Sequence, residues 1–260
     1  MADIFGKLVI ERVEDVTAID PTTDELMFIL DEPTQGSLES AMETVWAEGK
    51  GGRRLYGIDR NKTARFTCSN GYLVVSALQS QVGGSVEWLD PDNNIVAEVP
   101  VVEYCQPDAT GKFNLQYTPV TNSLVYVYEA LPDLTQSDVK YDFSEFTLSN
   151  KQVTLPAGAD RTKTYIAIYD RAATAGAVIT NESDTFAGYA KVIYTILCHD
   201  VCDMNKKIYT KLVFPNAKID GNFTLDISGD AIVQELAIDA QADVCSVDKV
   251  YWRWFICGEE

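Results

Sequence analysis

The chain has 260 residues, of which 46% are hydrophobic and 23% are charged, and its formal net charge is −18. This composition is ordinary for a globular protein with a core, whereas the acidic balance argues against a nucleic-acid binder, which needs cations to neutralise phosphates. No apolar run reaches the about 18 residues of a membrane span. The N-terminus lacks a basic segment followed by an apolar one, so we expect a mature cytosolic start and no signal peptide.

The first fifty residues predict two strands and a helix. Alternation over 8–12 and the apolar run 26–30 each indicate a short strand. The following stretch predicts a helix that begins at Ser37, runs through Trp46 and ends at the glycines that follow. We expect residues 34–52 as a whole to form a long connection between strands that is partly mobile until it meets a partner.

Residues 52–83 predict a strand, a tight turn and a short helix. Polar and apolar residues alternate through 61–68, and Asn70-Gly71 forms a turn signal. Beyond the turn, Leu73, Ala77 and Leu78 fall on one stripe of a helix.

From residue 85 onward the pattern indicates β-structure. The turn residues 91–94 lie between two apolar runs and predict a hairpin. Apolar and polar residues alternate over 231–243, which is typical of a half-buried antiparallel strand. The other predicted strands cover 112–117, 124–129, 143–148, 152–155, 164–170, 189–198, 209–214, 223–228 and the C-terminal aromatic run.

These elements predict a mainly β fold, an antiparallel sandwich or barrel with one or two short helices and long loops. We expect a single domain over residues 1–260. Residues 85–150 are expected to be an extension or a β lobe within that domain.

One cluster, Cys198, His199 and Cys202, has the residue types of a metal site, and Cys245 and Cys257 would be its second ligand pair. The Cys-x-x-x-Cys spacing is not that of a zinc knuckle, and packed thiols at a strand end are the favoured interpretation of the cluster. We predict no metal and no other cofactor. Without a secretion signal the cysteines are expected to be reduced.

Catalytic chemistry is not indicated, and we predict that the chain is not an enzyme. The only histidine, His199, is adjacent to Cys198, and neighbouring residues of a strand point to opposite faces. No G-x-S-x-G elbow and no phosphate-binding glycine loop occurs. Paired carboxylates for a glycosidase are disfavoured, whereas Trp252 and Trp254 on one strand face leave a carbohydrate-binding module open.

Several stretches match one known family in their residue sequence and in their order along the chain. They are RLYGIDRNKTA (54–64), NGYL (70–73), the lysine-led and tyrosine-bearing stretch 151–184, FPNAK (214–218) and GNFTL (221–225). In these stretches the chain resembles the major tail tube proteins of long-tailed (siphovirus-type) bacteriophages.

The resemblance implies a structural virion protein. Six subunits would form a ring, the rings would stack through loops and termini, and the stack would be the tail tube that conducts DNA from capsid to host cell. Implied partners are further copies, the tape measure protein, the tail terminator and tail-tip proteins, and DNA that passes without specific binding. Residues 85–150 match the family less well. The subunit would be made in the host bacterial cytoplasm, would bind no membrane and would end in the virion tail.

Two surfaces are predicted for such a tube. The acidic residues that alternate with apolar ones, Asp226, Glu235, Asp239 and Asp243, are expected to line the lumen, although they would equally suit an outer surface. The ring-to-ring contact is expected within 34–52, at Leu38, Met42, Val45 and Trp46. A head decoration protein, a head–tail connector and a carbohydrate-binding module remain the alternatives.

Overall fold

Strands dominate the computed structural model, which describes residues 7–121, 123, 126–201, 203–225, 233–242 and 249–257. The strands, in chain order, are β1 (Leu8–Ile19), β2 (Leu26–Leu30), β3 (Pro33–Glu48), β4 (Arg54–Asn70), β5 (Ser85–Trp88), β6 (Ala97–Cys105), β7 (Lys112–Asn114), β8 (Tyr126–Ala130), β9 (Gln136–Tyr141), β10 (Thr147–Ser149), β11 (Gln152–Thr154), β12 (Tyr165–Ala173), β13 (Ala177–Thr180), β14 (Tyr189–Asp200), β15 (Asp203–Ile219), β16 (Gln234–Ala240) and β17 (Arg253–Phe255).

One α-helix, α1 (Val75–Val82), occurs in the described chain, and the predicted turn after β5 contains a short 3₁₀ helix, Pro91–Asn93. Ala77 and Leu78 of the predicted stripe are buried, whereas Leu73 precedes the helix and is exposed. Gly83 ends α1 in the left-handed conformation, with φ of 69°. A Cβ at Gly83 would overlap the backbone of Phe186, so this position requires glycine on two counts.

The chain divides into two compact units. Unit 1 consists of Met1–Val86 and Ile179–Glu260, and unit 2 of Glu87–Val178. The segments that lead from one unit to the other contain β5 and β13, which pair as a two-stranded sheet. The single-domain expectation, with an extension over 85–150, stays a prediction.

Unit 1 is built on one large antiparallel sheet with the strand order β2-β1-β14-β15-β16-β4-β3, and β17 pairs with β15 outside this path. The sheet curls, so that β3 at one end of the strand order comes close to β1 near the other end. A Cβ on Gly36 of β3 would lie only 2.7 Å from Val13 Cγ2 of β1. Inside the curl, the rings of Phe66 and Tyr194 lie 3.8 Å apart in one hydrophobic core.

Unit 2 is a sandwich of two sheets. The four-stranded sheet has the order β6-β12-β8-β9, and the three-stranded sheet has the order β10-β11-β7. The core between them contains Tyr165 and Val127 from the first sheet and Phe113 and Val153 from the second. The predicted fold class, mainly antiparallel β in sandwich form with few helices, is confirmed.

The predicted helix from Ser37 to Trp46 is wrong, because this stretch lies in strand β3. It pairs with β4 from Pro33 opposite Asn70 to Glu48 opposite Arg54. The apolar residues recur here at spacings that also suit a helix, and pairing with a distant segment overrides that local signal. Most of the expected loop 34–52 is therefore strand.

The strand predicted for 223–228 is also absent from its described part. Residues 223–225 have no strand structure, and residues 226–228 lie outside the described chain. The long predicted strand over 231–243 is represented by β16, Gln234–Ala240, with Leu236, Ile238 and Ala240 buried in alternation as predicted.

Candidate assembly surfaces

A long hairpin extends from the body of unit 1. Strand β4 pairs with β16 only between Arg65 and Asn70, so the rest of β4 pairs with β3 alone. Ala64 is the last buried residue toward the tip. We call residues 41–63 the distal ribbon; its residues are all exposed or half-buried.

The two faces of the distal ribbon carry different side chains. On one face, Trp46 lies against Gly57, and the Arg54 guanidinium lies 5.2 Å from the centre of the indole ring. Val45 pairs with Ile58 across the two strands and gives the other face an apolar centre. Both faces therefore present packing groups that a two-stranded ribbon cannot bury by itself.

Large apolar side chains of the ribbon are open to solvent. Met42 is 63% exposed and Tyr56 68%, and Trp46, Leu55 and Ile58 are exposed as well. Contiguous exposed apolar residues mark interaction sites more often than isolated ones do. Of the four residues predicted for ring stacking, Met42, Val45 and Trp46 lie on this ribbon, whereas Leu38 packs against the core of unit 1. Their role in stacking stays a prediction.

The polar face of β16 is bound to its neighbours by an arginine. Arg65 of β4 donates to Asp239 at 3.0 Å and to Asp220, which lies just after β15. Burial opposes ionisation of Asp220, but hydrogen bonds from Asn222 and Arg65 outweigh it and lower the pKa of Asp220 below its usual 3.8. The arginine therefore joins β4, β16 and the end of β15.

Of the predicted lumen residues, Glu235 and Asp239 are described and point away from the core of unit 1. Glu235 is exposed, and Asp239 is half-exposed against Arg65. Asp226 and Asp243 lie outside the described residues. The lumen assignment stays a prediction.

A buried amide pair holds α1 against β16. Gln234 donates from Nε2 to Oε1 of Gln81 at 3.1 Å, and Gln81 donates to the Glu235 carbonyl at 2.6 Å. The backbone N–H of Val74 donates to Gln234 Oε1 at 2.8 Å. Neither this pair nor Arg65 was identified from the sequence. The one available signal for the pair was that Gln234 falls on the same strand face as the buried Leu236 and Ile238.

The metal candidate is divided between two faces of β14. Cys198 is buried in the core, and its thiol lies 3.8 Å from the Thr210 hydroxyl. His199 contacts a carboxylate oxygen of Glu11 at 2.5 Å, and this hydrogen bond lowers the pKa of Glu11. Cys202 and Cys245 lie outside the described residues. Among the side chains that are described, no three His, Cys, Asp or Glu residues are grouped as a metal site.

A mainly β subunit with a projecting ribbon of exposed apolar side chains has the features of a structural assembly protein. The family model of the YomU/Tube protein family matches residues 8–252, which is nearly the whole chain. The chain therefore belongs to the YomU/Tube family and is a structural protein of the bacteriophage tail tube, located in the virion tail. No curated protein matches it. Among the described helices, none is long and apolar enough to span a bilayer.

Proposed function

We propose that this chain forms hexameric rings that stack into the tail tube, through which DNA passes from capsid to host cell. The observation that carries this proposal is the distal ribbon, whose apolar residues Met42 and Tyr56 have no cover within the chain's described part. A neighbouring ring would bury them. Heterologous contacts of this kind extend into open stacks, whereas contacts within a ring close on themselves.

Ring closure would use the edges of the unit 1 sheet. The described strand order of this sheet ends at β2 on one side and at β3 on the other, and edge strands present backbone N–H and C=O groups to a partner. Strand pairing between six subunits would join the sheets around a lumen and satisfy those groups.

The lumen would be lined by the polar face of β16, with Glu235 and Asp239, and by Asp226 and Asp243. An acidic wall repels the phosphate backbone at short range, so DNA would slide without adhering. DNA is thus a passing partner and is not bound specifically.

The subunit would be made in the host bacterial cytoplasm, would act without catalysis or cofactor, and would bind no membrane. Its other partners would be the tape measure protein inside the tube and the terminator and tail-tip proteins at the ends.

Electron microscopy of the purified, concentrated chain, with and without tail-tip complexes as nuclei, tests this proposal. We expect hollow tubes with a regular axial repeat and sixfold end-on views. A variant in which a Gly-Ser turn replaces residues 42–62 should remain folded and soluble but form no tubes. The cut leaves Leu38 and Phe66 in the core, and circular dichroism checks the fold.

Other outcomes would favour the alternatives. Trimers that bind a capsid lattice would indicate a head decoration protein, and single rings that never stack would indicate a connector. A monomer whose tryptophan fluorescence changes with glycans would indicate a carbohydrate-binding module. Tubes formed equally well by the shortened variant would exclude the distal ribbon from stacking.

A further inference from the structure

The tip of the hairpin is basic in a strongly acidic protein. Residues 49–54, at the turn between β3 and β4, contain the cations Lys50, Arg53 and Arg54 and no acid, whereas the whole chain has a net charge of −18. All three cations are exposed. Charge of the opposite sign is thus concentrated at the end of the ribbon that projects from unit 1.

Two of these cations have no ionic partner among the described residues. Arg54 lies over the Trp46 ring. Lys50 and Arg53 form no ion pair within the described chain. The tip therefore keeps positive charge available for a partner.

The basic tip projects from one end of unit 1. Every neighbouring pair in the large sheet is antiparallel, so β1, β15 and β4 run in one direction and β3 runs in the other. Strand β3 lies beside Val13 of β1 at Gly36 and continues about 40 Å to Glu48. Leu8, where β1 begins, is only about 16 Å from Val13 in the same direction. The tip therefore extends past the end at which β1 begins.

The opposite end of unit 1 is acidic. The loop 20–25, where β1 ends, contains three acids and no cation, and the loop 181–188, which leads into β14, contains Glu182 and Asp184. Asp20 shapes its own loop by accepting the N–H groups of Thr22 and Thr23. Asp24 and Glu25 are exposed and have no ion pair in the described structure.

We infer that the basic tip of the distal ribbon binds the acidic end of a second copy, at loops 20–25 and 181–188. The inference rests on the proposed stacking function and names both surfaces of the contact. Two subunits with a charge of −18 repel each other, and this repulsion favours the alignment in which unlike ends meet. The contact therefore sets the head-to-tail direction of stacking as well as its rate.

Charge reversal on both sides tests the inference. K50E/R53E should slow tube growth at 0.15 M salt about tenfold or more, and D24K/E25K should do the same. The combined variant K50E/R53E/D24K/E25K should recover most of the wild-type rate, because the reversed ends are again complementary. Growth of the wild type should slow as salt is raised. Light scattering from nucleated subunits gives the rate, and circular dichroism confirms folding.

The matched control is K112E/K151E, which makes the same change in net charge at two exposed lysines of unit 2. We expect it to polymerise like the wild type. If K50E/R53E grows no more slowly than this control, the inference is wrong.

Two further results would also overturn it. One is failure of the fourfold variant to recover while both double variants stay folded. The other is binding of duplex DNA by the wild-type tip that K50E/R53E abolishes. If the wild type forms no tubes even with nuclei, the proposed function fails, and that result is distinct from a charge effect on growing tubes.

Discussion

At the scale of single residues, Arg65 stabilises unit 1 where three distant parts of the chain meet. Its guanidinium contacts Asp220 and Asp239, and these hydrogen bonds raise the pKa of Arg65 despite its partial burial. Asp220 is the more buried partner, with 12% of its side chain exposed against 50% for Asp239. The Asp220 pair therefore contributes more than an exposed ion pair does.

We predict that Asp220→Asn lowers the free energy of unfolding by about 1 kcal/mol at pH 7, since the amide keeps the hydrogen bond from Asn222 but loses the charge. The pKa of Asp220 is lower in the fold than its usual 3.8, so its stabilisation is present above that value. The stabilisation is lost as the pH falls through the folded pKa, and the difference between variant and wild type should shrink there.

Urea unfolding of the monomer at pH 7 and at successively lower pH measures this difference. Asp142→Asn is the matched control, because Asp142 is 62% exposed in its pair with Lys140 and should change stability very little. An equal loss in both variants, or a loss that does not depend on pH, would contradict the role given to Asp220.

At the scale of elements, the local residue pattern predicted correctly a strand that packs on one face. It predicted a helix wrongly for part of β3. Alternation predicted the buried side of β16 correctly, because period two is a property of the strand itself. In β3 the apolar residues Leu38, Met42 and Val45 have helical spacing. Only pairing with β4 decides their conformation, and that pairing is invisible in a local window.

The polar face of β16 gives a prediction for DNA passage. In phage that carry Glu235→Lys, tails of normal length should assemble, but DNA ejection should slow, because an exposed cation on the lumen wall attracts phosphates. Glu235 is a better target than Asp239, which is bound to Arg65.

Ejection kinetics measured by dye entry into released DNA test this prediction. Glu98→Lys, at an exposed position of β6 in unit 2, is the control with the same charge change. Normal ejection by the Glu235 variant would indicate that the polar face of β16 lies on the outer surface of the tube and not in the lumen.

At the scale of the whole molecule, the division into two units gives a prediction about domain organisation. The two ends of unit 2 are close, because the Leu89 N–H donates to the Gly176 carbonyl at 3.0 Å. A short Gly-Ser link from Leu89 to Gly176 should therefore replace residues 90–175 without distorting unit 1. We expect the shortened protein to fold and to form tubes, as an extension would allow.

Thermal unfolding and electron microscopy of this shortened protein provide the measurement. A control with the same link between Gln136 and Tyr141 shortens only the β9 edge of unit 2 and should leave the rest of the chain folded. Aggregation of the shortened protein alone would show that unit 1 depends on unit 2 and would support a single domain in the strict sense.

Four features follow from the amino-acid sequence alone: the mainly β class, the half-buried pattern of β16, the short helix after Asn70-Gly71 and the likeness to tail tube proteins. Each of these depends on a few consecutive residues, through their hydrophobic period, their turn chemistry or their identity. Three other features are known only from the folded chain: 41–63 form a projecting ribbon, Arg65 contacts Asp220 and Asp239, and 87–178 form a separate unit. These features depend on contacts between residues far apart in the chain, and no local pattern specifies such contacts.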